Sequence, residues 1–224
     1  MPATFYDVLA VLAPPAGAHG VGEGVFGFLG VGAARPLRRV SKGVCEDVRN
    51  ARWLDKKSRI KGSALRQWRA SFPNARYANV VGRGDVTDAD LAFLSGVGEV
   101  HADLRGCKRI TDAGLAHIRG AVCTLNMSGC KRITDAGLAH LTGIHTLDMS
   151  WCKRITDAGL AHLTGIYTLI MHECTLITGA GLAHLTGIHT LNMWECRSAA
   201  IAAARALGLP ATDNHTNHMF VFVV

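Results

Sequence analysis

The sequence predicts an α/β fold: a right-handed solenoid of short parallel strands and short helices, preceded by a small helical module. Three observations carry this. Cys130, Cys152, Cys174 and Cys196 fall 22 residues apart, and Cys107 precedes them by 23. The blocks between them are near copies, with GLAH in every one. Within a block, apolar residues alternate before the cysteine and take helical spacing after it, and such self-similarity marks a chain built from stacked coils.

One block shows why each element forms. Ile144, Leu147, Met149 and Cys152 hold its first, fourth, sixth and ninth places. Leu147 and Met149 therefore share one face of a strand, because side chains alternate along it. Ile155 points inward from the turn. Thr156 and Asp157 supply an N-cap and a negative charge for a helix start. Leu160 and Leu163 follow at helical spacing, and Gly165 ends the helix in a left-handed conformation. A coil this small cannot bury its apolar face alone and must stack on its neighbours.

The block resembles a leucine-rich repeat, in the variant with Cys at the usual Asn place followed by ITDAGL, which is similar to the cysteine-containing class of F-box/leucine-rich-repeat proteins. The resemblance runs from about residue 76 to the C-terminus. RYANVVGRGDVTDADLAFLSG reads as a worn first coil, with Val80 on the strand, Val86-Thr87-Asp88 matching ITD, Leu91 and Leu94 on the helix, and Arg83 at the cysteine place. After Cys196, SAAIAAARAL reads as a helix stopped by Gly208 and Pro210. A polar loop then leads to MFVFVV, expected to add a closing strand, so the solenoid spans 76–224.

Ahead of the array, residues 8–34 are apolar apart from His19 and Glu23. The start lacks a positive charge, and Pro14, Pro15 and scattered glycines break any spanning helix, so neither a signal peptide nor a membrane helix is expected. Gly22, Gly24 and Gly27 form GxGxxG, but no strand precedes them, as a dinucleotide site requires. VFGFL, then Val40-Ser41-Lys42, then Trp53 resembles an F-box, in degenerate form. Val25, Phe26, Leu29, Leu37, Val40 and Trp53 take the apolar positions, while Gly17-Ala18 stand in place of Leu-Pro and Val44 in place of a Trp. The resemblance implies that this module, residues 8–53, docks the adaptor subunit of a cullin–RING ubiquitin ligase. The alternative is a helical cap over the first coil. Residues 54–75, with Leu65 and Trp68 at helical spacing and Pro73 at the end, read as a basic linker helix.

Composition bounds the function. Apolar residues make up 49% and charged ones 18%, enough for a core and too little charge for global disorder. Residues 1–83 hold 14 Lys/Arg against 5 Asp/Glu, and residues 84–224 hold 10 against 12, so the net charge of +7 sits in the N-terminal part. Five of the seven cysteines belong to the repeat, with Cys45 and Cys123 left over. They read as structural thiols in a reducing compartment rather than a disulfide set. His117, His140, His162 and His184, one in each GLAH, read as convex-surface residues copied by duplication rather than metal ligands. No nucleophile, phosphate loop or carboxylate pair rises above the repeat. The sequence thus predicts a protein that is not an enzyme, without cofactor or metal.

The repeats differ at a few places. Asp148, Ile170 and Asn192 are equivalent, as are Ser150, His172 and Trp194, and Trp151, Glu173 and Glu195. Lys153-Arg154 becomes Thr175-Leu176. GLAHLTG stays unchanged across the same copies, so the variation points to a concave surface diversified for binding, anchored by Trp151 and Trp194. The resulting expectation is a protein-binding adaptor, by resemblance the substrate receptor of a ubiquitin ligase, acting in the cytoplasm or nucleus of a eukaryotic or host cell. Its partners would be the adaptor, cullin and a protein substrate, with no membrane. The alternatives are a binding scaffold with no ligase partner and, more weakly, a nucleic-acid binder using the Lys-Arg pairs at 108/109, 131/132 and 153/154.

Overall fold

A computed structural model describes residues 59–212. The F-box-like module over 8–53, with Val25, Phe26, Leu29, Leu37, Val40 and Trp53, and the closing strand expected from MFVFVV lie outside the described residues.

Eight strands form one open sheet, each parallel to the next and in chain order: β1 (Arg59–Lys61), β2 (Tyr77–Val81), β3 (Glu99–Asp103), β4 (Val122–Asn126), β5 (Thr146–Asp148), β6 (Thr168–Ile170), β7 (Thr190–Asn192) and β8 (Ala211–Thr212). Between them run α1 (Leu65–Ser71), α2 (Asp88–Leu91), α3 (Asp112–Ala116), α4 (Asp135–Leu138), α5 (Asp157–Leu160), α6 (Gly179–Leu182) and α7 (Ser198–Ala206). A short 3-10 turn extends α2, α4, α5 and α6. Equivalent residues pair: Thr124 with Thr146, Thr146 with Thr168, Thr168 with Thr190. Leu125, Leu147, Leu169 and Leu191 stack as a fully buried column, with Met127, Met149, Met171 and Met193 beside them. Burying each such side chain contributes roughly 1.5–3 kcal/mol. A three-residue strand reaches that burial only between two neighbours.

The 23-residue interval has a local cause. Val100 pairs with Val122, but His101 pairs with Thr124, so Cys123 is the extra residue of a bulge between β3 and β4. The register returns to 22 from β4 onward.

Both ends of the array differ from expectation. The segment read as a linker over 54–75 contains the expected helix, with Leu65 and Trp68 buried. It is also a coil of the solenoid, because β1 pairs with β2 through Arg59–Asn79, Ile60–Val80 and Lys61–Val81. Among the described residues the array therefore already includes 59–75, ahead of residue 76. Ile60, Leu65, Trp68 and Phe72 cover the end of the core, which an open stack needs. At the other end, the eighth strand comes from the segment read as a polar loop: Ala211 pairs with Leu191 and Thr212 with Asn192.

Asp157, read as a charge for its own helix, does more. Its carboxylate accepts from the N–H and the hydroxyl of Thr178 in the next coil, at 2.7 and 2.5 Å. Asp135 holds Thr156 in the same way, Asp112 holds Thr134, and Asp88 holds Thr111. This ladder explains ITDAGL residue by residue. A Cβ on Gly159 would lie 2.5 Å from Asp135 Oδ1, and one on Gly181 2.5 Å from Asp157 Oδ1. The glycine is the space in which the previous coil's carboxylate sits. The ends obey the same rule. Among the described residues no aspartate of the preceding coil reaches Thr87, and Asp90, at the glycine place, accepts from Thr87 N and Oγ1 at 2.9 and 2.7 Å. At the far end no threonine follows, and Gly179 replaces the aspartate where a Cβ would meet Ala203 Cβ at 2.5 Å.

The cysteines form a second ladder. The thiol of Cys130 donates to the carbonyl of Leu104, Cys152 to Met127, Cys174 to Met149 and Cys196 to Met171, at 3.3, 3.3, 3.4 and 3.0 Å. Each thiol thus ties its turn to the preceding coil rather than only filling its own. Burial pushes Cys130 and Cys174 up to about 12, and Cys152 higher still.

Two tests follow from the ladders. Gly159→Ala should destabilise by about 1–3 kcal/mol through overpacking, and adding Asp135→Ala should make the pair less than additive in a double-mutant cycle by chemical denaturation. The folded thiols have raised pKa values, so their contribution is complete below the unfolded value of 9.0 and fades as pH climbs toward about 12. Melting temperature should fall across that window, less steeply in Cys174→Ala.

Candidate partner-binding surface

The strand exits carry the variable residues. Asp103, Asn126, Asp148, Ile170 and Asn192 lie in register on adjacent strands. Three of the predicted surface residues are not free surface: Asp148 and Ile170 are buried in this column, and Ser150 is buried beside it. The reason is local. Asp148 Oδ1 accepts from Ser150 N at 2.9 Å, Asn126 Oδ1 from Ser128 N at 3.0 Å and Asn192 Oδ1 from Trp194 N at 3.3 Å. The side chain in each case closes its own strand exit, as Asx turns do. Asn126 Nδ2 also donates to Asp148 Oδ2 at 3.0 Å. At Asp103, burial favours the neutral carboxyl, but hydrogen bonds and charge from Arg105, with a further bond from Arg83, outweigh it and hold the group below its usual range. Arg83, expected at the cysteine place, stands two residues beyond Val81, the partner of Asp103, and so matches Arg105.

Ile170 cannot accept a hydrogen bond, so His172 N–H would be orphaned. Ser150 Oγ of the preceding coil accepts it at 3.2 Å. The Ser150–Ile170 pair is thus one compensated change, not two independent binding residues.

The neighbouring column is what faces solvent. Trp151, Glu173 and Glu195 have φ of 64°, 56° and 55°, the left-handed region, where Gly106 and Gly129 stand in earlier coils at 70° and 74°. A non-glycine residue there costs about 1–2 kcal/mol. Three successive coils carry that strain. Trp151 is 45% exposed and Trp194 44%. Lys153 Nζ lies 5.2 Å from the centre of the Trp151 ring and 3.5 Å from Glu173 Oε2. The rings of His172 and Trp194 meet nearly perpendicular, their centres 5.6 Å apart. Trp151, Trp194 and Glu195 therefore form the exposed part of the predicted set, while His172, Glu173 and Asn192 are half-buried.

Leu176, singled out in the sequence where Thr175-Leu176 replaces a Lys-Arg pair, adds a further exposed apolar side chain on the turn after Cys174. One feature escaped sequence reading. At the opposite ends of the strands, Tyr167 stacks between His145 and His189, with ring centres 4.7 and 4.4 Å away. The signal was the Tyr in IYTL, where the flanking copies read IHTL. Among the described residues no group of three or more His, Cys, Asp or Glu is placed to hold a metal, and no helix is long and apolar enough to cross a membrane.

Short strands, inter-coil ladders and a variable strand-exit surface together define a leucine-rich-repeat solenoid. The Leucine Rich repeat family model matches residues 124–141 and 140–163. A chain of the yeast Rad7–Elc1 complex has a similar fold, with a TM-score of 0.55 at 15% identity over 66% of this chain. The match spans 44% of that chain. Comparison with curated proteins gives no match.

Ser150→Ala should destabilise by about 1–2 kcal/mol, because it strands the His172 N–H. Adding Ile170→Asn should restore most of that loss, and Ile170→Asn alone should do little. Trp151→Gly should leave stability unchanged or raise it by up to about 1 kcal/mol, since relief of the left-handed strain opposes the entropy of glycine. Thermal denaturation of the variants checks both.

Proposed function

We propose that this protein is a non-enzymatic adaptor whose strand-exit surface holds a protein partner, and that it acts as the substrate receptor of a cullin–RING ubiquitin ligase in the cytoplasm or nucleus. The observation that carries partner binding is the run of non-glycine side chains at Trp151, Glu173 and Glu195, the first and last exposed, in a backbone conformation that suits glycine. Strain retained in consecutive coils argues for use, because glycine at the same place in earlier coils shows the relaxed solution. Two indoles within this surface supply the residue type most often found at interaction hot spots. A leucine-rich-repeat fold fits this role, and the fold-matched chain belongs to a two-protein complex.

The ligase assignment rests on the resemblance of Val25, Phe26, Leu29, Leu37, Val40 and Trp53 to an F-box.

Direct pull-down of the full chain with the ligase adaptor subunit tests this. The intact chain should retain the adaptor, Phe26→Ala with Leu29→Ala should abolish retention, and the melting of the solenoid should not change. Failure of the intact chain to retain the adaptor rejects the ligase reading. Trp194→Ala should leave adaptor binding intact and weaken substrate capture by about 2 kcal/mol or more.

A further inference from the structure

We infer that the strand-exit rim is a docking track for an acidic polypeptide segment that carries bulky apolar side chains at one end. The inference deepens the partner-binding reading above and rests on it.

The rim changes character along the array. In its earlier coils it is cationic. The turns after Cys107, Cys130 and Cys152 each present a Lys-Arg pair, at 108/109, 131/132 and 153/154, and all six side chains are exposed. Among the described residues only Lys153 of these six is in an ion pair, with Glu173. Asp88, Asp112, Asp135 and Asp157 lie nearby in sequence but are engaged by the threonines of the next coils. The aspartates therefore serve the fold, and the cations are left facing water. In the next coil the same turn reads Thr175-Leu176, with Leu176 exposed, and in the last it reads Arg197-Ser198, a single cation in place of a pair. Trp194 stands one coil further on, and Trp151 flanks the junction under Lys153. The rim thus runs from charge to apolar surface.

Neighbouring coils are stacked at about 4.8 Å along a parallel sheet, so the four steps from the Lys108 turn to the Arg197 turn cover roughly 20 Å, or about six residues of extended chain. Charge complementarity selects an acidic occupant for the first part, and Leu176 with the indoles selects apolar anchors for the second. Nucleic acid fits less well. Glu195 is exposed at the aromatic end, where a phosphate backbone would be repelled, and the basic pairs have no interleaved aromatic residues on which bases could stack.

The test uses the full chain and fluorescein-labelled probes read by anisotropy. The first is a peptide of about 12 residues, twice the span needed at about 3.3 Å per residue, with a glutamate-rich half and a half rich in Leu and Trp. The second replaces each Glu by Gln, the third replaces the apolar half by Ser, and the fourth is an oligothymidylate of similar length. The first peptide should bind best. Lys131→Glu with Arg132→Glu should weaken it by about tenfold, and raised salt should act in the same direction. The Gln peptide should start weaker and not respond to that charge reversal. Trp194→Ala should weaken the first peptide and leave the Ser peptide unchanged. Circular dichroism should show every variant folded, since the altered side chains are exposed. Absence of binding by the first peptide, equal binding by the Gln peptide, or tighter binding by the oligonucleotide overturns the inference. Should capture of the native substrate depend on Trp194 but not on Lys131 and Arg132, the acidic track falls while the partner surface stands. Should it depend on neither, the partner surface falls as well.

Discussion

The carboxylate that each coil extends to the threonine of the next is the constraint on which the array depends. Three-residue strands give few backbone hydrogen bonds per neighbour, and helices of four or five residues have little stability alone. The Asp–Thr contact adds two charge-assisted hydrogen bonds per step at a fixed place, and charged acceptors make such bonds stronger than neutral ones. It locks phase as well as adding stability. A shifted coil would separate Asp135 from Thr156 and drive a side chain into the space at Gly159. The extra residue Cys123 lies on the strand side, where a bulge absorbs it before the Asp112–Thr134 contact is reached.

The same logic of satisfying a polar group from the next coil recurs at the strand exits. Backbone groups buried in a turn must find a partner, and the interior of a solenoid offers little water. The thiols meet carbonyls of the preceding coil, and Asx side chains meet the N–H two residues on. Where Ile170 breaks this pattern, Ser150 supplies the missing acceptor from outside the coil. A stacked array can make such a repair because every residue has an equivalent about 22 positions away, held alongside by the register.

Much of this is legible in the sequence. The period, the strand face of Leu147 and Met149, the inward Ile155, the helix start at Thr156 and the left-handed Gly165 all follow from elementary geometry. What was missed lies between coils. Asp157 read locally is a helix-dipole charge, and nothing in one block says that its partner is Thr178. The three near-identical copies hid the rule that the exceptions reveal: Asp90 for glycine where, among the described residues, no aspartate of the preceding coil reaches the threonine, Gly179 for aspartate where no threonine follows. The first coil escaped because residues 59–75 lack both the cysteine and the ITD, leaving only Ile60, Leu65 and Trp68 to mark it. At the candidate surface, variability alone did not separate Asp148, Ser150 and Ile170, which close the turns, from Trp151 and Trp194, which face solvent. The glycines at 106 and 129 were the available signal, since they mark a left-handed position that Trp151 then occupies.

That position also shows how a repeat protein can acquire a binding surface without losing its fold. Residues that contact the next coil are fixed, because altering one strands its partner, and GLAH, ITD and the cysteine column accordingly recur. At the left-handed site after the strand only the backbone reaches the next coil, and the side chain takes no part in either ladder. A side chain placed there carries a local backbone penalty of about 1–2 kcal/mol, and the register imposes no further loss. Such a site is free to vary in identity while being unfavourable for anything but glycine. Relaxation toward glycine would be easy, as Gly106 and Gly129 demonstrate. Its avoidance in three consecutive coils, at the place where exposed tryptophans cluster, is therefore better explained by what the surface binds than by how the chain folds.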